Sequence, residues 1–103
     1  MSVAKMKQPD YYVIAETYNV DYETNPYAVP VGRMDDLDKA IASAKMQFPD
    51  SAETARWKLE HREGLTRGWV IREDDFVAGR LDNRIMVTPP DWWSDEFVKL
   101  FND

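Results

Sequence analysis

His61 is the only histidine in this 103-residue chain, and cysteine is absent. Any acid–base scheme that uses an imidazole would therefore depend on His61. The sequence holds no G-x-S-x-G turn to present a serine nucleophile, and the lack of cysteine excludes a thiolate nucleophile and a disulfide scaffold. We interpret His61 as an ordinary strand residue beside a turn, and we predict a non-enzymatic protein without catalytic residues.

Two carboxylate-rich segments have the composition of a site for a hard cation. The first, residues 35–38, reads Asp-Asp-Leu-Asp and is explained by a helix start, where acidic side chains complement the helix dipole. The second, residues 21–32, imitates the first ligands of an EF-hand loop. That loop needs glycine at its sixth position and glutamate at its twelfth, where this chain has Pro26 and Gly32. We therefore expect no metal and no cofactor.

The net charge of −6 disfavours long-range attraction to nucleic acid or to anionic lipid. The charge is unevenly spread, however. Residues 56–72 carry five basic side chains against two acidic ones, whereas residues 91–103 carry four acidic side chains against one basic. The basic and acidic segments could attract each other, or each could face a different partner.

The spacing of apolar residues predicts an α+β fold, with a mostly antiparallel sheet of four to five strands and two helices packed on one face. Residues 1–9 are expected to form a flexible N-terminus, and residues 10–103 a single domain. The predicted order is β-β-α-β-β-β-α. Its elements are a central strand at 11–19, an edge strand or extended loop at 27–31, a helix at 34–48 capped by Asp35 or its neighbour, a hairpin pairing 54–62 with 69–71, a strand at 84–88 and a helix at 93–101.

The hairpin supplies the first candidate binding surface. Alternation places Trp57 on the same buried face as Trp69, with basic side chains on the opposite face. That basic face is open to three interpretations: a solvated surface, a contact for an acidic protein partner, or a track for nucleic acid phosphates. Its candidate residues are Arg56, Lys58, Arg62 and Arg72.

Aromatic residues supply the other candidates. Tyr22 and Tyr27 flank a turn that contains Asn25 and Pro26, and tyrosine is enriched at interfaces because its ring has an apolar body and a polar tip. Trp92 lies in an acidic C-terminal segment whose aromatic spacing is typical of helix-in-groove recognition. Packing of these residues in the core or at an edge is the alternative.

The prediction that follows is a small protein-binding accessory or inhibitor, of the type that phages and mobile elements encode to modulate a host enzyme or a defence complex. The alternative is a nucleic-acid-binding module that uses residues 56–72. We expect no cofactor, no membrane partner and a cytoplasmic location, because the longest apolar run near the N-terminus is too short to span a bilayer. Whether the protein is a monomer or a homodimer stays open.

Overall fold

Residues 10–101 are the residues described by the computed structural model, and they contain four strands and four helices. The predicted flexible N-terminus, residues 1–9, lies outside this range. The elements are β1 (Tyr11–Tyr18), β2 (Tyr27–Met34), α1 (Leu37–Lys45), α2 (Ala52–Glu60), β3 (Leu65–Arg72), α3 (Glu73–Val77), β4 (Ile85–Met86) and α4 (Asp95–Val98), with 3₁₀ turns at Leu81–Asn83 and Lys99–Phe101.

The strands form one antiparallel sheet in the order β2-β1-β3-β4, which confirms the predicted α+β class and its antiparallel sheet. The segment predicted as a central strand is β1, which lies between β2 and β3. Val13 and Ile14 point to opposite faces of the sheet, and both are fully buried. A strand covered on both faces explains why its sequence is apolar without alternation.

β2 is the segment that was expected to be an edge strand or a loop, and it is an edge strand. It pairs with β1 from Tyr27 to Met34, with a bulge where Val31 has no partner between Pro30 and Gly32. Pro30 is tolerated because an edge strand has one side with no ladder hydrogen bonds to make.

The helix predicted over residues 34–48 is shorter at both ends, because Met34 still pairs with Tyr11 in the sheet. Asp36 is the N-cap of α1, and its Oδ1 accepts hydrogen bonds from the backbone N–H groups of Asp38 and Lys39 at 2.8 and 3.2 Å. Residues 46–48 form turns beyond the helix, so Lys45 is its last residue.

The predicted strand over residues 54–62 is wrong, because this segment is helix α2 and the hairpin does not exist. Ser51 is the N-cap, and its Oγ accepts a hydrogen bond from the backbone N–H of Thr54 at 3.0 Å. The alternation of Trp57, Leu59 and His61 suggested a strand, but Ala, Glu, Arg, Lys and Leu dominate the segment, and all favour helices. The helix propensity of these residues and the capping serine both indicated a helix, but the prediction gave more weight to the alternation.

The predicted order of elements changes with this correction and with smaller ones. The return strand expected at 69–71 is the second half of β3, and the expected turn at 64–68 is mostly its first half. The short helix α3 occupies residues for which no element was predicted, and β4 is a two-residue part of the strand expected at 84–88.

The core divides into three clusters of buried side chains. The first lies under α1 on one sheet face and includes Val13, Val70 and Val87. The second, on the opposite face, is formed by Ile14, Trp69 and Ile71, with Tyr12 and Phe76 packed against it. Both helices were predicted on one face of the sheet, but α3, which carries Phe76, packs on the face opposite to α1. The third cluster joins α2 to the C-terminal segment through Ala55, Leu59, Leu65, Phe97 and Phe101.

Candidate protein-interaction surface

The four basic candidate residues do not form a common face. Arg56 and Lys58 lie on α2, where successive residues turn through about 100°. Arg62 follows the C-cap of that helix, and Arg72 ends β3. Each has a carboxylate partner: Arg56 with Glu96 at 2.7 Å, Lys58 with Glu63 at 3.7 Å, Arg62 with Asp21, and Arg72 with Asp74 at 3.5 Å.

The basic surface expected from the sequence is therefore absent, for two physical reasons. The alternation that would have aligned its side chains belongs to a strand, and the segment is a helix. Each of these cations also has a carboxylate beside it, which offsets part of its attraction for a phosphate. The geometry on which nucleic acid recognition by residues 56–72 depended is thus missing.

Arg67, the remaining cation of this segment, is an internal residue. Its Nε donates a 2.7 Å hydrogen bond to Glu16 Oε1, and the same oxygen accepts a 2.8 Å hydrogen bond from Trp69 Nε1. The guanidinium carbon lies 4.5 Å from the centre of the Phe101 ring, which is a cation–π contact. Arg67 thus ties the end of the chain to the sheet instead of presenting charge to a partner.

Trp92 is placed in the C-terminal cluster and not beside the two tyrosines. It is half-buried, and its ring contacts Trp93 and Phe97 at centroid distances of 5.6 and 5.7 Å. Most of the aromatic surface of this segment therefore packs internally.

Tyr22 and Tyr27 are brought together. Their ring centroids are 4.7 Å apart in an edge-to-face arrangement, and Tyr27 is 41% exposed. A hydrogen bond with Tyr27 is the main cause that raises the pKa of Tyr22 above its ordinary value, and partial burial adds to it. The two phenols thus form one aromatic pair at the start of β2.

A network of two asparagines holds the loop that carries this pair. The buried Asn19 accepts a hydrogen bond from the Asp21 N–H at its Oδ1, and its Nδ2 donates to the Arg62 carbonyl at 2.8 Å. Asn25 accepts from the Asn19 N–H and donates from its Nδ2 to the Tyr22 carbonyl at 2.8 Å. These bonds position Tyr22 without needing a regular element.

The residues that follow Tyr27 are exposed on both faces of the sheet. Ala28, Val29, Pro30 and Val31 are all exposed, with Val29 at 42% and Val31 at 50%. α1 leaves them uncovered because it packs over β1 and β3 and reaches β2 only near Met34. We call Tyr22 together with Tyr27–Val31 the edge surface.

Sequence reasoning named Tyr22 and Tyr27 but missed the rest of the edge surface. A signal was available, since residues 24–32 contain no charged side chain in a chain that is 31% charged. An uncharged, apolar run is ordinary in a core strand, and only the structure shows that the side chains of this edge strand are left exposed.

His61 lies at the C-terminal cap of α2 and not on a strand. Its ring stacks on Trp57 with centroids 4.1 Å apart, and its Nδ1 donates a 2.8 Å hydrogen bond to the Trp57 carbonyl. Among residues 10–101, no three His, Asp or Glu side chains are grouped so as to hold a metal ion. Nor does any helix in this range have the length and apolar character to cross a bilayer.

Comparison of the chain with protein-family models, with curated proteins and with solved structures finds no match.

Proposed function

We propose that this protein acts by binding another protein, as a non-enzymatic accessory or inhibitor, and that the edge surface makes the contact. The observation that carries the proposal is the run Tyr27–Val31, five consecutive exposed and uncharged residues on an edge strand of the sheet that residues 10–101 form. Exposed apolar surface of this kind is characteristic of interaction sites.

Two kinds of contact are available at this surface. Within residues 10–101, one side of β2 pairs with no other strand, so an extended segment of a partner can add there as a further strand. The side chains of Tyr27, Val29 and Val31 supply apolar contacts, and the adjoining Tyr22 adds an aromatic anchor with a polar tip. Backbone pairing contributes affinity and the side chains contribute selectivity.

Pro30 and the bulge at Val31 restrict what can pair with this edge. Proline lacks an N–H, and a bulge interrupts the regular ladder, so both are devices that limit unspecific edge-to-edge association. A partner must accommodate an interruption in the middle of the strand. This favours a partner whose strand is complementary to the interruption over unspecific pairing between two copies of this protein.

The non-enzymatic part of the proposal is supported by the composition of the chain, in which His61 is the only histidine and cysteine is absent. The His61 ring is exposed and stacks on Trp57. The narrower prediction, a modulator encoded by a phage or mobile element, rests on the small, acidic, cysteine-free type of the chain and stays a prediction.

The test is capture of a partner from the native host with matched baits. Val29→Lys/Val31→Lys adds charge to the edge surface, and Val77→Lys/Met46→Lys adds the same charge at two other exposed apolar positions. We expect the wild type and the control variant to retain one stoichiometric protein that the edge variant loses, and titration calorimetry on the purified pair to reproduce the difference.

Two outcomes would count against the proposal in different ways. Recovery of no stoichiometric protein by the wild type would contradict protein binding itself. Equal capture by the edge variant, with unchanged circular dichroism, would leave the function standing but show that another surface mediates it.

A further inference from the structure

The exposed side of α2 carries an aromatic pair that the edge surface does not include. Glu53, Trp57 and His61 follow one another at intervals of four residues, which places them on one side of the helix. Trp57 is 48% exposed, an unusual situation for the residue type that gains most from burial.

The two faces of the Trp57 indole differ. The imidazole of His61 is stacked against the ring at 4.1 Å with an interplanar angle of 18°, and the hydrogen bond from Nδ1 to the Trp57 carbonyl fixes the imidazole in that position. Trp57 also lines an open cavity of about 430 Å³, together with Glu53 and Thr54. Part of the indole is therefore covered, and part opens onto a space that a ligand can enter.

The charge beside this cavity is negative. Glu53 makes no ion pair within residues 10–101, whereas the two cations of the same helix, Arg56 and Lys58, are each paired with a carboxylate. An indole face attracts cations through its quadrupole, and a carboxylate attracts them through its charge. The combination is complementary to one cation that is flat enough to stack, which is the guanidinium of arginine.

We propose that Trp57 and Glu53 form a binding site for an arginine side chain of a basic protein partner. The guanidinium stacks on the indole and donates hydrogen bonds to the Glu53 carboxylate, while Thr54 borders the cavity. The net charge of −6 favours the approach of a basic partner. This site is separate from the edge surface, and it does not depend on protein binding along β2.

The experiment uses the full chain labelled with ¹⁵N and the peptide acetyl-Gly-Arg-Gly-amide as the probe. The indole N–H signal of Trp57, identified by its loss in Trp57→Phe, is followed as the peptide is added to tens of millimolar at constant ionic strength. We expect a saturable shift confined to this indole among the four tryptophans. The same peptide with citrulline, which is isosteric but uncharged, should produce a much smaller shift.

Two variants test whether the carboxylate of Glu53 contributes to binding. Glu53→Gln should weaken binding about threefold to fivefold, because an exposed carboxylate contributes up to about 1 kcal/mol to such a pair. Asp38→Asn removes the same charge from an exposed position on α1 and should leave the affinity unchanged.

Several results would overturn the proposal. These are equal binding of the citrulline peptide, an affinity unaffected by Glu53→Gln, equal shifts at all four indoles, or no shift at all. Because the probe is a short peptide, none of these results bears on capture of a partner by the edge surface.

Discussion

Gly68 of β3 lies directly against the backbone of Ala44 in α1. A Cβ atom on Gly68 would stand 2.7 Å from the Ala44 carbonyl carbon and closer still to its oxygen. This is the point where the helix approaches the sheet without a side chain between them. The glycine here allows α1 to pack closely, and the buried alanines of α1 complete the contact.

Gly68→Ala should therefore destabilise the protein strongly. The added methyl group meets backbone atoms, which cannot rotate away, so the helix must shift. We expect a loss of about 3 kcal/mol, at the upper end for overpacked cores, measured by urea unfolding. Gly32→Ala is the matched control, because its nearest atoms lie 3.9 Å away, and its stability should change by less than about 1 kcal/mol. Similar losses for both variants would contradict the close approach of α1.

Glu16→Gln should lower the stability of the protein, because it removes the carboxylate of the buried ion pair with Arg67. The Arg67 side chain is 4% exposed and that of Glu16 13%, so loss of the carboxylate leaves a cation with little access to water. We expect a loss of about 3 kcal/mol, as for other buried pairs that lose one partner. Glu96→Gln breaks the exposed pair with Arg56 and should change stability by less than about 1 kcal/mol. Thermal and urea unfolding that ranked the two variants in the opposite order would refute this assignment.

Ser51→Ala tests whether α2 depends on its cap. The variant leaves the Thr54 N–H without its side-chain acceptor, and we expect a loss of about 1 kcal/mol with reduced helix signal in circular dichroism. Ser43→Ala, inside α1, should be neutral or slightly stabilising, because alanine is the better helix former. A neutral Ser51→Ala variant would mean that the cap contributes little to the helical state of residues 52–60.

Asp75 should make stability depend on pH in the acid range. Hydrogen bonds from Asn83 and then Arg80 lower the pKa of its carboxyl below the ordinary 3.8. A lowered folded-state pKa stabilises the native state fully above pH 3.8, and this contribution disappears as the pH falls through the folded-state value. Asp75→Asn should remove that part of the pH dependence.

Urea unfolding at a series of acid pH values measures the effect. Wild type and Asp75→Asn should differ most near neutral pH and converge at the acid end. Asp82→Asn, an exposed carboxylate on the neighbouring 3₁₀ turn, serves as the control and should follow the wild type. A constant difference between wild type and Asp75→Asn at every pH would show that the carboxyl stabilises the fold without a shifted titration.

The α+β class, the central position of β1 and the edge position of β2 could be predicted because each depends on short-range pattern. An unbroken apolar run indicates a strand buried on both faces, and a proline within a strand indicates an edge. The start of α1 was likewise readable from its run of aspartates. The prediction for residues 54–62 was wrong because Trp57, Leu59 and His61 alternate by chance, whereas Ala55 and Leu59 face the core at helical spacing.

The sequence by itself determined a small acidic domain without thiol chemistry, with an antiparallel sheet and with more aromatic residues than one helix face can bury. Only the tertiary structure decided which of these residues are left for a partner. Trp92 is half-buried among aromatic rings, whereas Trp57 is exposed. Two of the cations expected to form a surface, Arg56 and Arg62, are paired with carboxylates distant in sequence, Glu96 and Asp21. Exposure and ion pairing depend on which segments meet in space, and local patterns do not contain that information.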